Sequence, residues 1–181
     1  VYERNIGRQY KAWLALAEGV VAGSTDHDVT ISVIVPVYNP PVRFLQECLE
    51  SVLRQQARNW QLVVANDGST MGEVNEYLDA FASEHADDPR ITVVRKENGG
   101  ISSALNAALD LATGDYVGML DHDDVLDCRA IEEFSIAIGA NGLPDAVYSD
   151  EDKIDSRGAH FELYCKPDFS PELLLTQMYL C

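Results

Sequence analysis

The sequence predicts an α/β fold built on a mainly parallel central sheet. Three observations carry that expectation. From Ile31 onward, short apolar runs alternate with segments of helical periodicity. Each of the first four apolar runs ends in polar or glycine-rich residues, as strands do when they deliver loops to one sheet edge. The fourth run, Tyr116-Val117-Gly118-Met119-Leu120, is followed at once by Asp121-His122-Asp123-Asp124, with Asp127 two apolar residues further on.

The elements follow in order. Residues 2–21 place Ile6, Tyr10, Trp13, Leu14 and Ala17 near helical spacing and end at Gly23-Ser24, which predicts an N-terminal amphipathic helix. With its linker it makes a first segment, 1–28, and the α/β domain fills 29–181. The few basic residues on that helix favour packing over membrane docking. Strands are expected at 31–37, 61–65, 91–94, 116–120 and 146–148, and helices at 42–56, 73–84, 101–112 and 129–138. Strand, helix, strand in this order implies right-handed crossovers. The 116–120 run, bounded by Gly114-Asp115, reads as a buried strand. Ala104, Leu105, Ala108 and Leu111 make the buried stripe of the third helix. The apolar stretch 173–181 is strand-like or helical, and the chain reads as a piece of something longer.

Composition bounds the function. The 181 residues suit one domain with a core, and 46% hydrophobic content is ordinary for a globular protein. Thirty acidic against thirteen basic residues, a formal charge of -17, argue against nucleic acid or an anionic membrane surface as the main partner. Cys48, Cys128, Cys165 and Cys181 lack zinc-type spacing and read as free thiols, which fits a cytoplasmic location; a peripheral place at the inner face of the membrane stays open. No apolar stretch approaches the ~20 residues of a membrane span.

The strand-end loops hold the residues suited to chemistry. Crowded carboxylates repel unless a cation or proton relieves them, and hard oxygen ligands favour Mg²⁺ or Mn²⁺. Pro36-Val37-Tyr38-Asn39 closes the first strand; Tyr38 either stacks on a base or belongs to a structural turn. Asp67, in Asn66-Asp67-Gly68-Ser69-Thr70, either caps the following helix or accepts hydrogen bonds from a base or ribose. Asn98-Gly99-Gly100 lets a ligand or backbone come close, and Asn106 either orients that loop or a sugar, or is an exposed polar residue. The GxGxxG and GxxxxGK[ST] phosphate loops are absent, which disfavours dinucleotide oxidoreductases and P-loop enzymes.

Five motifs in order, ISVIVPVYN, NDGST, ENGGISSALNAALDLATGDYV, LDHDD and YSDEDKID, resemble the inverting family 2 glycosyltransferases, above all bacterial surface-polysaccharide and rhamnosyltransferase-like members. The resemblance runs from about Ile31 to the end, and the helix ahead of it carries a YxxWL pattern, Tyr10 to Leu14, common in such proteins. It implies a GT-A (Rossmann-like) three-layer fold and transfer of a sugar from a UDP- or dTDP-linked donor to a glycan or lipid-linked acceptor. Pro36, Tyr38 and Asp67 then match positions that hold the base and ribose. Asp121 and Asp123 match the DxD pair, with Asp123 the direct ligand of Mn²⁺ or Mg²⁺ and Asp121 nearer the ribose and metal waters. Val37, Asn39, Asn98, Gly99, Gly100, Asn106 and His122 join the nucleotide-binding set, His122 with its ring turned away from the metal. Asp150, Glu151 and Asp152 match a stretch lining the donor or acceptor pocket. The general base is expected beyond Cys181. Asn66 departs from the pattern, standing where a second aspartate is common, as does Met71-Gly72 after Ser-Thr. Two other readings compete: a module that binds nucleotide sugars without transfer, and a receiver-type phosphoacceptor, disfavoured because receivers place their acid pair after the first strand.

Overall fold

The computed structural model describes residues 29–155 and 157–180, in two compact units divided between Leu143 and Pro144. The expected N-terminal helix and linker lie outside the described residues.

The first unit is a four-stranded parallel sheet in the order β3-β2-β1-β4, flanked by helices. Its strands are β1 (Ile31–Val37), β2 (Trp60–Asn66), β3 (Ile91–Arg95) and β4 (Tyr116–Met119). The helices are α1 (Val42–Leu53), α2 (Gly72–Glu84), α3 (Ile101–Leu109) and α4 (Ala130–Ala140). Every residue of β1 and β2 is buried, which is why both read as unbroken apolar runs. Leu45, Cys48, Leu49 and Val52 of α1 recur at helical spacing and are fully buried. The small stripe of α3, Ala104 and Ala108, brings that helix close over Ile34, Val63 and Ala65. Leu111, predicted to share that stripe, falls outside it, since α3 stops at Leu109 and Leu111 is exposed.

Two further expectations are corrected. The run at 116–120 forms a strand, but it is an edge strand with one face open: Val117 and Met119 are 40% and 72% exposed. No strand forms at 146–148, a three-residue run hemmed by Pro144-Asp145 and Ser149-Asp150.

In the second unit the charged stretch behind it pairs instead, as the antiparallel hairpin β5 (Glu151–Ile154) and β6 (His160–Tyr164). Asp155 makes the turn: its Oδ1 accepts from the amides of Arg157 and Ala159 at 2.8 and 2.9 Å, and Gly158 supplies a φ of +77°. A short helix, α5 (Pro171–Leu174), starts under Ser170, whose Oγ accepts from Leu173 N, with proline in its first turn. Within the apolar 173–181 stretch Tyr179 is buried while Leu175 and Met178 are exposed.

Candidate functional site

All three strand pairings of the sheet are parallel, so the loops after β1, β2, β3 and β4 leave by the same edge. Pro36 shows how that edge is prepared. In a strand a residue's N–H and C=O point to one side, and residues two apart share it. Ile34 O accepts from Leu120 N at 3.1 Å, so Pro36 also faces the β4 side, just where the register with β4 has ended. Its missing N–H therefore breaks no ladder bond. Its carbonyl is 3.2 Å from His122 Nδ1, and because a carbonyl only accepts, that nitrogen carries the proton. His122 thus ties the ends of β1 and β4 together.

Tyr38 is 48% exposed at the strand tip. Asn39 adopts a φ of +50°, a conformation asparagine tolerates better than most residues. Its Oδ1 accepts from the amides of Thr70 and Met71 at 2.8 and 3.0 Å, and its own amide donates to Ser69 Oγ at 3.1 Å. Of the two readings of Asp67, the cap of α2 does not form: those amides ahead of α2 bond to Asn39, and the N-cap residue Met71 gives no side-chain cap. Asn66 explains its own departure from aspartate. It is buried, its Oδ1 accepts from Ser69 N at 2.9 Å, and its Nδ2 donates to Asn75 Oδ1 at 2.9 Å, which a carboxylate could not do.

Asp67 is buried and turns toward the loop after β3. Lys96 Nζ lies 2.5 Å from its Oδ1, Gly99 N donates to both oxygens at 3.0 and 3.1 Å, and Gly100 N donates to Oδ2 at 2.8 Å. Asn98 Nδ2 donates to its backbone carbonyl at 3.0 Å. The Lys96 hydrogen bond, opposed by burial and seconded by the two amides, holds this carboxyl below the usual aspartate range. Asn106 is exposed on α3.

Behind β4, Asp124 N donates to Asp121 O at 3.1 Å, closing a tight turn with His122 and Asp123 at its centre. Asp121 and Asp123 are exposed, His122 half-buried. Three side chains of the α1 segment, on one stripe at 48, 51 and 55, hold this loop from below. Cys48 Sγ is 3.4 Å from Asp121 O, Ser51 Oγ accepts from Leu126 N at 3.1 Å, and Gln55 Nε2 donates to Asp127 O at 2.6 Å. Gln55 Oε1 also accepts from Ile131 N at 3.0 Å. These anchors and Lys96 were missed in the sequence. Ser51 and Gln55 are polar residues standing on an apolar stripe, and that was the available signal.

Among the described residues no group of three or more His, Cys, Asp or Glu side chains is arranged to hold a metal ion. Asp121 and Asp123 by themselves make a partial set of hard oxygen donors. That suits Mg²⁺ or Mn²⁺, which are commonly held by one or two carboxylates with water and substrate phosphates completing the shell.

Asp150, Glu151 and Asp152 belong to the second unit, and each has a partner within it. Asp150 Oδ1 accepts from Lys166 N at 2.8 Å, Glu151 pairs with Lys166 Nζ at 2.9 Å, and Asp152 Oδ2 lies 2.8 Å from His160 Nδ1. Among the described residues no helix is long and apolar enough to cross a membrane.

With this geometry in hand, comparison with known proteins is specific. The sequence profile described as Glycosyl transferase family 2 matches residues 32–151, more than half of the chain. The O-antigen biosynthesis protein RfbC of Myxococcus xanthus is 31% identical over 178 residues, covering 94% of this chain and 14% of its own length. Chondroitin synthase of Pasteurella multocida is 33% identical over 149 residues, covering 82% of this chain and 15% of its own length. The chain thus spans about one-seventh of these relatives. Residues 1–349 of Staphylococcus aureus TarS, solved in complex with UDP-GlcNAc, superpose with a TM-score of 0.60 at 25% identity, covering 72% of this chain and 36% of that one. The mannosyltransferase PcManGT of Pyrobaculum calidifontis, solved with GDP-Man and Mn²⁺, shares the fold: TM-score 0.52 at 21% identity, over 86% of this chain and 45% of that one.

Proposed function

Because the chain belongs to glycosyl transferase family 2, we propose that it forms the donor-binding part of an enzyme that moves a sugar, with inversion, from a nucleoside-diphosphate sugar to a growing cell-surface glycan. The observation that carries this reading is the gathering, at one sheet edge, of exposed Tyr38, the ionised Asp67 carboxylate and the Asp121–Asp124 turn. The similarity to TarS, which binds UDP-GlcNAc, supports a uridine donor.

In this reading Pro36, Tyr38 and Asp67 face the base and ribose, and Asp123 with Asp121 holds Mn²⁺ or Mg²⁺ against the diphosphate. The cation, when bound, neutralises the charge that grows on the leaving nucleotide. His122 spends its Nδ1 proton on Pro36 O, which fixes the ring as a strut between strands and sets Asp121 and Asp123 on either side of it. Asn39 serves by shape: its side chain is committed to the 69–71 loop and keeps Tyr38 at the tip of β1. Inverting transfer also requires a carboxylate base for the acceptor hydroxyl, a role given to none of the acids at this edge.

The test is isothermal titration with UDP, dTDP and GDP, each with Mn²⁺ and with EDTA. One nucleotide, UDP, is expected to bind only with metal, and Asp123→Ala is expected to weaken that binding at least tenfold. Undiminished binding by the variant, or no binding of any nucleotide to the unaltered protein, overturns the reading.

A further inference from the structure

We propose that Lys96 is a positioning residue of this site: its ammonium group fixes the Asp67 carboxylate, and through it the Gly99-Gly100 turn, in the arrangement that accepts the base of a nucleoside diphosphate. The inference deepens the donor-site reading above and rests on it.

Lys96 follows β3 directly, and its backbone is held by Lys96 N donating to Asn66 O at 3.0 Å, which extends the β2–β3 register by one residue. From that fixed root the side chain runs to Asp67, and its Nζ also lies 2.5 Å from Glu97 O. The pair is sheltered: the Lys96 side chain is 22% exposed and that of Asp67 only 3%. A sheltered carboxylate without a charge partner drifts toward its neutral form and is free to turn.

The acceptor arithmetic shows what the lysine does. A carboxylate offers about four lone-pair directions. Lys96 takes one on Oδ1, Gly100 takes one on Oδ2, and Gly99 N straddles both oxygens. The carboxylate plane is therefore set by donors on both oxygens, and three donors on about four positions leave room for one more. Without Lys96, Oδ1 would keep only its share of the Gly99 amide, and the whole carboxylate plane would be freer to turn about its Cβ–Cγ bond. The glycine at 99 fits the same device: a Cβ there would stand 2.7 Å from Ser103 Oγ, 2.9 Å from Ser103 Cβ and 3.0 Å from Lys96 Nζ, so a side chain would crowd the seat of the ammonium. This cation is seated by backbone pairing, sheltered, and given room by a glycine.

The experiment measures UDP affinity with Mn²⁺ between pH 4 and pH 8 for the protein and for Lys96→Met, Lys96→Gln and Lys96→Arg, with folding checked by circular dichroism. Lys96→Met keeps the stem and removes the charge; Lys96→Gln keeps a donor and stands in if the methionine variant does not fold. At least a tenfold loss of affinity is expected for both, with the acid fall-off of binding displaced to higher pH, and most of the affinity restored in Lys96→Arg. A residue that merely braces the loop would lower stability and leave the fall-off where it was. Equal affinity and an unmoved fall-off in Lys96→Met and Lys96→Gln, while the unaltered protein binds UDP, overturn the positioning role alone. Absence of UDP binding to the unaltered protein overturns the donor-site reading and this inference together.

Discussion

The thiol of Cys48 lies beneath the acidic turn, with its Sγ 3.4 Å from the carbonyl oxygen of Asp121. Burial, and behind it the carboxylates of Asp124, Asp123 and Asp121, push this thiol up to about 12. The reactive form of cysteine is the thiolate, so Cys48 is an inert donor that steadies the turn. Iodoacetamide at pH 8 is expected to label exposed Cys128 and to spare Cys48 until denaturant is added. Peptide mass mapping reads the outcome; prompt labelling of Cys48 in the folded protein would mean that the turn does not rest on α1.

At the other end of the sheet, Arg90 hydrogen-bonds Asp88 through Nε and Nη2 at 3.0 and 2.7 Å, and its guanidinium lies 4.0 Å from the centre of the Trp60 ring. The Arg90 side chain, then its backbone amide, lower Asp88 from 3.8 to about 2. A carboxyl depressed in the folded state adds stability above its unfolded value, and that stability is lost as pH falls from 3.8 through about 2. Asp88→Asn should therefore destabilise at pH 7 and match the unaltered protein near pH 2. Both side chains are partly open to solvent, so about 1 kcal/mol is expected. Urea unfolding at pH 7, 4, 3 and 2 checks it; a constant difference across the series would refute the electrostatic account.

What the sequence disclosed, and what it withheld, follows from the range of the forces involved. β1, β2 and the stripe of α1 were legible because burial on both faces or on one helical face leaves an apolar period that any window detects. The candidate site was legible as a set of strand ends, since parallel topology alone sends Asn39, Asp67, Asn98 and Asp121 to one edge. The hairpin of β5 and β6 was hidden, because Glu151-Asp152-Lys153-Ile154 is charged on both faces and exposed at all but Asp152, and its strand character comes from pairing through the Asp155 turn. The edge position of β4 was hidden for a related reason: Val117 and Met119 are as apolar as core residues, and only their neighbours decide whether they are covered. The roles of Lys96 and Asn39 depend on partners 29 to 32 residues away, beyond any local pattern.

A buried polar network between β1, β2 and the α3–β4 connection supplies a stability test. Gln61 Oε1 accepts from Ser32 Oγ at 2.7 Å and from Thr113 N at 2.8 Å, and its Nε2 donates to Leu111 O at 3.1 Å. Ser32 Oγ in turn accepts from Gly114 N at 2.8 Å. Gln61→Ala strands the buried Ser32 hydroxyl and leaves the part-buried Thr113 N and Leu111 O without their partner, which should cost about 2 kcal/mol. Ser32→Ala alone should cost about 1 kcal/mol, and the double variant less than the sum, because the two act through shared partners. Chemical denaturation of the three variants measures the coupling; strict additivity would show that the network is not one unit.

Two glycines on either side of the 69–71 loop should respond in opposite ways to the same substitution. Gly68 has a φ of +70°, and a Cβ there would lie 2.8 Å from Asn98 N and 3.2 Å from Lys96 O, both backbone atoms that cannot swing aside. Gly68→Ala must therefore strain its own backbone and press the loops after β2 and β3 apart, at a cost of about 1–3 kcal/mol. Since Asp67 and its partners Lys96, Gly99 and Gly100 span those two loops, UDP affinity should fall with stability. Gly72, the first residue of α2, has open space around its Cβ position and no positive φ. Gly72→Ala there narrows the unfolded ensemble and favours the helix, so stability should hold or rise by up to about 1 kcal/mol with UDP affinity unchanged. Thermal unfolding and titration of the pair decide the matter: a tolerated Gly68→Ala would mean that the two loops can separate without disturbing the carboxylate they share.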